Sequence, residues 1–177
     1  MRNQYVRVFA PASIGNVSCG FDVLGLAVKA PGDEVIVTLN DSRIVTIKSI
    51  VGGEGRVPAE ADKNTAGVAI IEYLKAIDSQ QGAEITLYKN LPLGSGMGSS
   101  AASAVAAVVA INELMGKPLT REQLLPFVME AERMACGSAH PDNAAPSLLG
   151  GLILVRENSP LDIVSIPTPQ ELMCVLV

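Results

Sequence analysis

Pro92-Leu-Gly-Ser-Gly-Met-Gly-Ser-Ser-Ala-Ala-Ser103 is a glycine-rich turn that runs straight into an alanine-rich helix. Gly94, Gly96 and Gly98 can each take positive φ at little steric cost. Successive backbone N–H groups can therefore curl into a concave nest with only hydrogen at Cα to obstruct a ligand. A helix starting near Ser99 or Ser100 adds unpaired N–H groups and the positive end of its dipole, so the junction is suited to an anion. Pro92, Leu93, Gly94, Ser95, Gly96, Met97, Gly98, Ser99 and Ser100 are read together as a triphosphate cradle. The competing reading, a flexible Gly/Ser turn, is disfavoured because the glycines sit between a strand-like run over residues 83–89 and a well-marked helix. Neither of two better-known phosphate loops fits. Gly98 is followed by Ser99 with no lysine in the loop, which excludes a Walker A motif, and the Gly-x-Gly-x-Gly spacing fails the dinucleotide fingerprint.

Working outward, residues 100–115 are apolar on nearly every side until Asn112 and Glu113, which predicts a helix buried all round and too short to span a bilayer. Gly116 is its natural stop. Thr120-Arg-Glu-Gln123 has capping-box form for a following helix, in which Pro126 is expected to produce a kink and Gly137 an end. Upstream, Asp62 or Asn64 can cap a helix carrying Val68, Ile71, Leu74 and Ile77. The N-terminal part reads as strands: one running into Pro11, then residues 33–40 and 43–50 joined as a hairpin at Asn40-Asp41-Ser42. Residues 11–27 are too polar at Ser13, Asn16 and Asp22 for plain core strand and read as a binding loop. Beyond Gly150-Gly151, residues 152–155 and 172–177 read as strands. The last one stops without a turn residue and is expected to continue into further sequence.

The chain has 177 residues, 49% of them hydrophobic, enough for one substantial core. Thirteen basic and eighteen acidic residues give a net charge of −5, and the pI is about 4.9. That balance argues against a broad grip on nucleic acid or an anionic membrane, so an anion must be held locally. Cys19, Cys136 and Cys174 lack zinc-type spacing, and an odd, scattered set fits a reduced, cytoplasmic chain. Three polar residues outside the loop stand out. Asp22 lies between Phe21 and Val23, where a carboxylate is costly unless paired or functional. His140 is the only histidine and falls in Ser138-Ala-His-Pro-Asp-Asn143. Glu132 reads either as part of a solvated helix face or, with Ser100, as a Mg²⁺ pair, since Mg²⁺ takes one or two protein oxygens and completes its shell with water and phosphate.

Pro11-Ala-Ser with Asn16 and Gly20-Phe-Asp-Val-Leu-Gly25, followed by the 92–103 loop, resembles the first two signatures of the GHMP small-molecule kinases. Gly137-Ser-Ala-His-Pro-Asp-Asn-Ala-Ala-Pro146 with Gly150-Gly151 is similar to the branch of that family that phosphorylates L-homoserine on the way to threonine. The resemblance implies an α+β fold like ribosomal protein S5 domain 2, with a mixed sheet packed against helices. It implies ATP and Mg²⁺ as cofactors, the loop from Pro92 to Ser100 on the nucleotide phosphates, Ser100 and Glu132 on the metal, and Asn64 near the adenine. Asn16, Asp22, His140 and Asp142 would face homoserine, Asp22 either as base or as a group orienting the amino acid. Residues 1–167 would form the N-terminal, ATP-binding domain and 168–177 the start of a C-terminal domain. The family's third glycine-rich signature and its substrate-binding arginines do not occur in these 177 residues, so little activity is expected of them alone. The oligomeric state stays open, a homodimer included. The alternatives are a GHMP kinase acting on mevalonate or a sugar, disfavoured by the His140 segment, and a non-catalytic S5-like nucleotide- or RNA-binding module, whose RNA form the acidic charge disfavours.

Overall fold

The computed structural model describes residues 5–169, 171 and 173–175. In chain order its strands and α-helices are β1 (Tyr5–Ile14), β2 (Leu24–Asn40), β3 (Val45–Gly52), α1 (Thr65–Ala76), β4 (Gly82–Lys89), α2 (Ser99–Leu114), α3 (Arg121–Cys136), α4 (Pro141–Leu149), β5 (Leu152–Asn158) and β6 (Leu161–Ile166). The six strands form one mixed sheet in the order β3-β4-β2-β5-β6, with β1 paired to β2. β2 is the hub, antiparallel to β1, to β4 and, through Leu24–Leu26, to β5. Only β3 and β4 run parallel, and α1 supplies the crossover that a parallel pair requires.

Each element follows from a local signal. Val35 and Val37 on β2, and Ala83, Ile85 and Leu87 on β4, point inward at period two and are fully or almost fully buried. Asn64 caps α1 by accepting from the Ala66 N–H at 3.0 Å. Thr120 and Gln123 close the expected capping box on α3, and Gly137 ends that helix in the left-handed conformation at φ 75°. α3 runs unbroken through Pro126. α2 is buried on nearly all sides, as its composition requires, and packs against the other three helices as well as β1, β2 and β4. Its large buried polar side chain, Asn112, is satisfied there. It accepts the Tyr73 hydroxyl at 2.9 Å and donates to the Leu119 carbonyl at 3.0 Å.

Three expectations change. Residues 33–40 and 43–50 are not a hairpin, because β4 lies between β2 and β3. The Asn40 side chain caps the local turn by accepting from the Ser42 N–H. The start of β4 then inserts where Gly82 approaches Asn40 and Ile44 so closely that a Cβ would stand 2.4 Å from Asn40 Oδ1. A short-range turn signal fixes a turn; it does not fix which strand fills the space beside it. Residues 141–149, for which no helix was expected, form α4, started by Pro141 at its first position. Of the expected closing strand, Met173, Cys174 and Val175 carry no strand structure, and Leu172, Leu176 and Val177 lie outside the described residues. Among the described residues, no helix is long and apolar enough to cross a membrane.

Candidate active site

The glycine loop is open. Gly94, Gly96 and Gly98 take φ of 73°, 73° and 64°, the left-handed values expected from their alternation. The N–H groups of Gly96, Met97, Gly98, Ser99, Ser100 and Ala101 donate to no protein acceptor among the described residues. α2 begins at Ser99, and its N-cap residue, Gly98, has no side chain to cap it, so the amides of the first turn are left unmet at the loop. The loop is fixed from behind. Ser13 on β1 donates its N–H to Met97 O at 3.1 Å, and a Cβ on Gly98 would fall 2.2 Å from Ser13 Oγ and 3.1 Å from Asn143 Oδ1. Gly98 is thus required by close approach as well as by φ.

Beneath the loop lies a buried ion pair that sequence reasoning missed. Lys89 Nζ is 2.5 Å from Asp33 Oδ2, with side-chain exposures of 3% and 0%. Burial pulls the Lys89 ammonium below the usual lysine range, and Asp33 and Glu132 oppose that pull. The signal was in the strand period. Lys89 shares the inward parity of Ala83, Ile85 and Leu87, and Asp33 that of Val35 and Val37, so both charges stand at the end of a buried stripe.

Glu132 is 3% exposed rather than on a solvated face, and its Oε1 is buried without a hydrogen-bond partner among the described residues. Burial pushes its carboxyl above the usual range, against the pull of the Ser100 hydroxyl, His140 and Lys89, while Asp142 adds to the push. An orphaned carboxylate oxygen beside a serine hydroxyl is the donor set that a hard divalent cation takes. Ser100 and Glu132 therefore fit Mg²⁺. A cavity of about 240 Å³ opens on the same side, lined in part by Val57, Pro58, Asn64, Leu93, Ser100 and Lys89. Asn64 lines it but is 1% exposed and already donates to Pro58 O at 2.7 Å, which leaves one of its two amide N–H donors for a ligand.

The second cluster forms where the 15–23 loop meets the start of α4. Asp22, His140 and Asp142 bring ligand atoms within 4.8 Å of one another, with His140 Nδ1 4.0 Å from Asp22 Oδ1. Asp142 is 1% exposed. Its Oδ2 accepts the Asn16 N–H at 3.1 Å, while Oδ1 is buried without a partner among the described residues. Burial pushes its carboxyl up, the Asn16 N–H and His140 pull it down, and Asp22 pushes it up again. Asn16 Oδ1 in turn accepts the Asp22 N–H at 2.7 Å. Asn16, Ser18 and Asp22 hold positive φ near 55° without being glycine, a cost that over-determined functional loops carry. Asp22 itself is exposed, as are Phe21 and Val23, so its apolar neighbours do not bury it. The two clusters meet through Ser13, whose Oγ donates to Asn143 Oδ1 at 3.1 Å and lies against Gly98.

α4 is wedged into place by glycines. A Cβ on Gly25 would stand 1.7 Å from Asp142 O, and one on Gly15 would stand 2.4 Å from Asp142 Oδ2. Ser147 Oγ ties the same helix to Pro11 O at 2.8 Å. Ser13 and Gly25, both within the stretch read as a binding loop, thus meet Asn143 and Asp142 at the start of α4.

Residues 64–151 match the family model described as the GHMP kinases N terminal domain. The chain is 53% identical over 179 residues to a protein named homoserine kinase from Chloroherpeton thalassium, covering 96% of this chain and 56% of that protein. A crystal structure of homoserine kinase from Cytophaga hutchinsonii superposes with a TM-score of 0.92 at 55% identity, over 96% of this chain and 54% of that one. A mevalonate kinase structure from Methanococcus jannaschii shares the fold alone, with a TM-score of 0.72 at 13% identity. The chain spans about half the length of the curated relatives it matches. With its glycine loop, its cavity and the Asn16–Asp142 cluster all formed, the chain belongs to the GHMP kinases and carries their N-terminal fold.

Proposed function

We propose that the protein is a homoserine kinase, transferring the γ-phosphoryl group of ATP to the hydroxyl of L-homoserine to give O-phospho-L-homoserine and ADP. The observation that carries this reading is the open nest of unpaired amides from Gly96 to Ala101, set between the Asn64 cavity and the orphaned oxygens of Glu132 and Asp142. The cavity takes the nucleoside, the nest takes the phosphates, and Ser100 with Glu132 holds Mg²⁺. When bound, Mg²⁺ neutralises charge on the phosphate oxygens. Asn16, Asp22, His140 and Asp142 take homoserine. Carboxylates there suit its ammonium group, which favours an amino acid over mevalonate or a sugar.

Transfer forms a bond from the homoserine oxygen to the γ-phosphorus and breaks the β,γ-bridging P–O bond, with ADP as the leaving group and the hydroxyl proton passing to solvent water. The transition state spreads charge over oxygens that the amides already face, so most of the acceleration comes from positioning and preorganised donors. Asp22 orients the hydroxyl and the amino acid. The reading places the reaction in the cytoplasm, without nucleic-acid or membrane partners.

The test is an ADP-release assay of the full-length protein with ATP–Mg and, in parallel, homoserine, mevalonate and galactose, with the product identified by mass. Turnover with homoserine alone is expected. Turnover with mevalonate or galactose and none with homoserine would overturn the substrate assignment.

A further inference from the structure

The nucleotide loop of a chain without a P-loop lysine must be held in shape by something other than its ligand. Both ends of the 92–98 loop converge on the buried Asp33–Lys89 pair. At the incoming end, Asp33 Oδ1 accepts the Asn90 and Leu91 N–H groups, each at 2.9 Å. At the outgoing end, Lys89 Nζ donates to Ser99 O at 2.8 Å, Ser99 Oγ at 2.6 Å and Ser103 Oγ at 2.8 Å, and Ser103 Oγ donates to Asp33 Oδ2 at 2.8 Å. One ion pair on adjacent strands thus fixes where the loop leaves β4 and where α2 begins.

The N-cap position of α2 is Gly98, which has no side chain to offer, so α2 has no side-chain cap. The hydroxyl of the next residue, Ser99, is engaged by Lys89 Nζ, which fixes the first turn of the helix. The amides of Ser99, Ser100 and Ala101 in that turn donate to no protein acceptor among the described residues.

We propose that Asp33 and Lys89 are positioning residues for the nucleotide: the pair staples the two ends of the glycine loop and so sets where the α2 amides stand, without touching the phosphates. The proposal rests on the kinase reading for the identity of the ligand. The test separates the two by measuring MgADP affinity by calorimetry and steady-state kinetics in the full-length protein. Wild-type protein that fails to bind MgADP contradicts the kinase reading, whereas wild-type binding with indifferent variants contradicts only the staple.

Asp33→Asn and Lys89→Met each leave a buried charge unpaired, and both single variants are expected to melt well below wild type. The double variant D33N/K89M removes both charges and is expected to recover most of the melting temperature. A merely structural pair predicts that nucleotide affinity recovers with it. The staple predicts that it does not: ATP KM stays raised about tenfold or more, with homoserine KM within about twofold of wild type. A folded double variant with wild-type ATP KM overturns the proposal. If the double variant fails to fold, Ser103→Ala decides, since it removes one strut at no change of charge. A rise of about threefold or more in ATP KM alone supports the staple, and no change overturns it.

Discussion

The glycine-loop side and the α4 side of this molecule solve the same problem, leaving polar groups unpaired among the described residues, by opposite means. The glycine-loop side uses backbone. Three glycines adopt positive φ at no steric cost, a helix terminus supplies amides, and the charges are buried behind the loop in a closed network. The α4 side uses side chains. Its loop forces Asn16, Ser18 and Asp22 into the same left-handed region without glycine; the Asn16 N–H is held by Asp142 on α4, more than a hundred residues away in sequence, and Asn16 Oδ1 in turn accepts the Asp22 N–H. The first region is locally encoded; the second exists only once the sheet has brought β1, β2 and α4 together.

The largest expected effect sharpens this difference inside the glycine loop. Gly98→Ala combines φ of 64° with a Cβ only 2.2 Å from Ser13 Oγ. MgATP affinity should fall about 100-fold or more by calorimetry, since about 1–2 kcal/mol of left-handed strain is compounded by displacement of the loop from β1. Gly96→Ala meets no atom within 4 Å, so strain acts alone and the loss should be about tenfold, through a smaller competent population. Equal effects at the two positions would break the claim that close approach to β1 sets the loop.

Next in size is Glu132→Gln, which keeps the volume of the side chain and removes the charge. It should lower kcat about 100-fold with a smaller change in nucleotide affinity, read by comparing turnover with MgADP binding. On the other side, Asp142→Asn, Asp22→Asn and His140→Ala should each raise homoserine KM by about tenfold or more while leaving ATP KM within about twofold. Equal losses toward both substrates would mean that the two regions are one functional unit.

The smallest effect lies away from both sites. Burial pushes the Tyr73 hydroxyl from 10.0 up to about 12, so the folded chain keeps a proton that the unfolded chain loses. The unfolded state then binds fewer protons, and stability should fall between pH 10 and about 12. Tyr73→Phe should remove that slope in denaturation measurements and, at neutral pH, cost about 1 kcal/mol as Asn112 loses a donor.

What could be read beforehand follows the same division. The loop, the burial of α2, the Asn64 and Thr120 caps and the Gly137 stop are local rules, and each is present in the fold. The hairpin over residues 33–50 failed because strand order is decided by long-range pairing, here the insertion of β4 between β2 and β3. α4 was obscured by its two prolines and its polar start, although Pro141 at the first helical position is itself a start signal. Glu132 and Asp142 gave no sign of burial, since helical packing against neighbours hides a carboxylate that sequence alone places on a polar face. Asp33 and Lys89 were legible in strand parity, and a charged residue on an apolar stripe is the sign to follow.

The most direct measurement is a crystal structure of the full-length protein with a non-hydrolysable ATP analogue and Mg²⁺. The account predicts the β- and γ-phosphates within hydrogen-bonding distance of the N–H groups between Gly96 and Ala101, with the metal on Ser100 and Glu132. A polyphosphate bound away from those amides, or a glycine loop folded back to satisfy them internally, would contradict it.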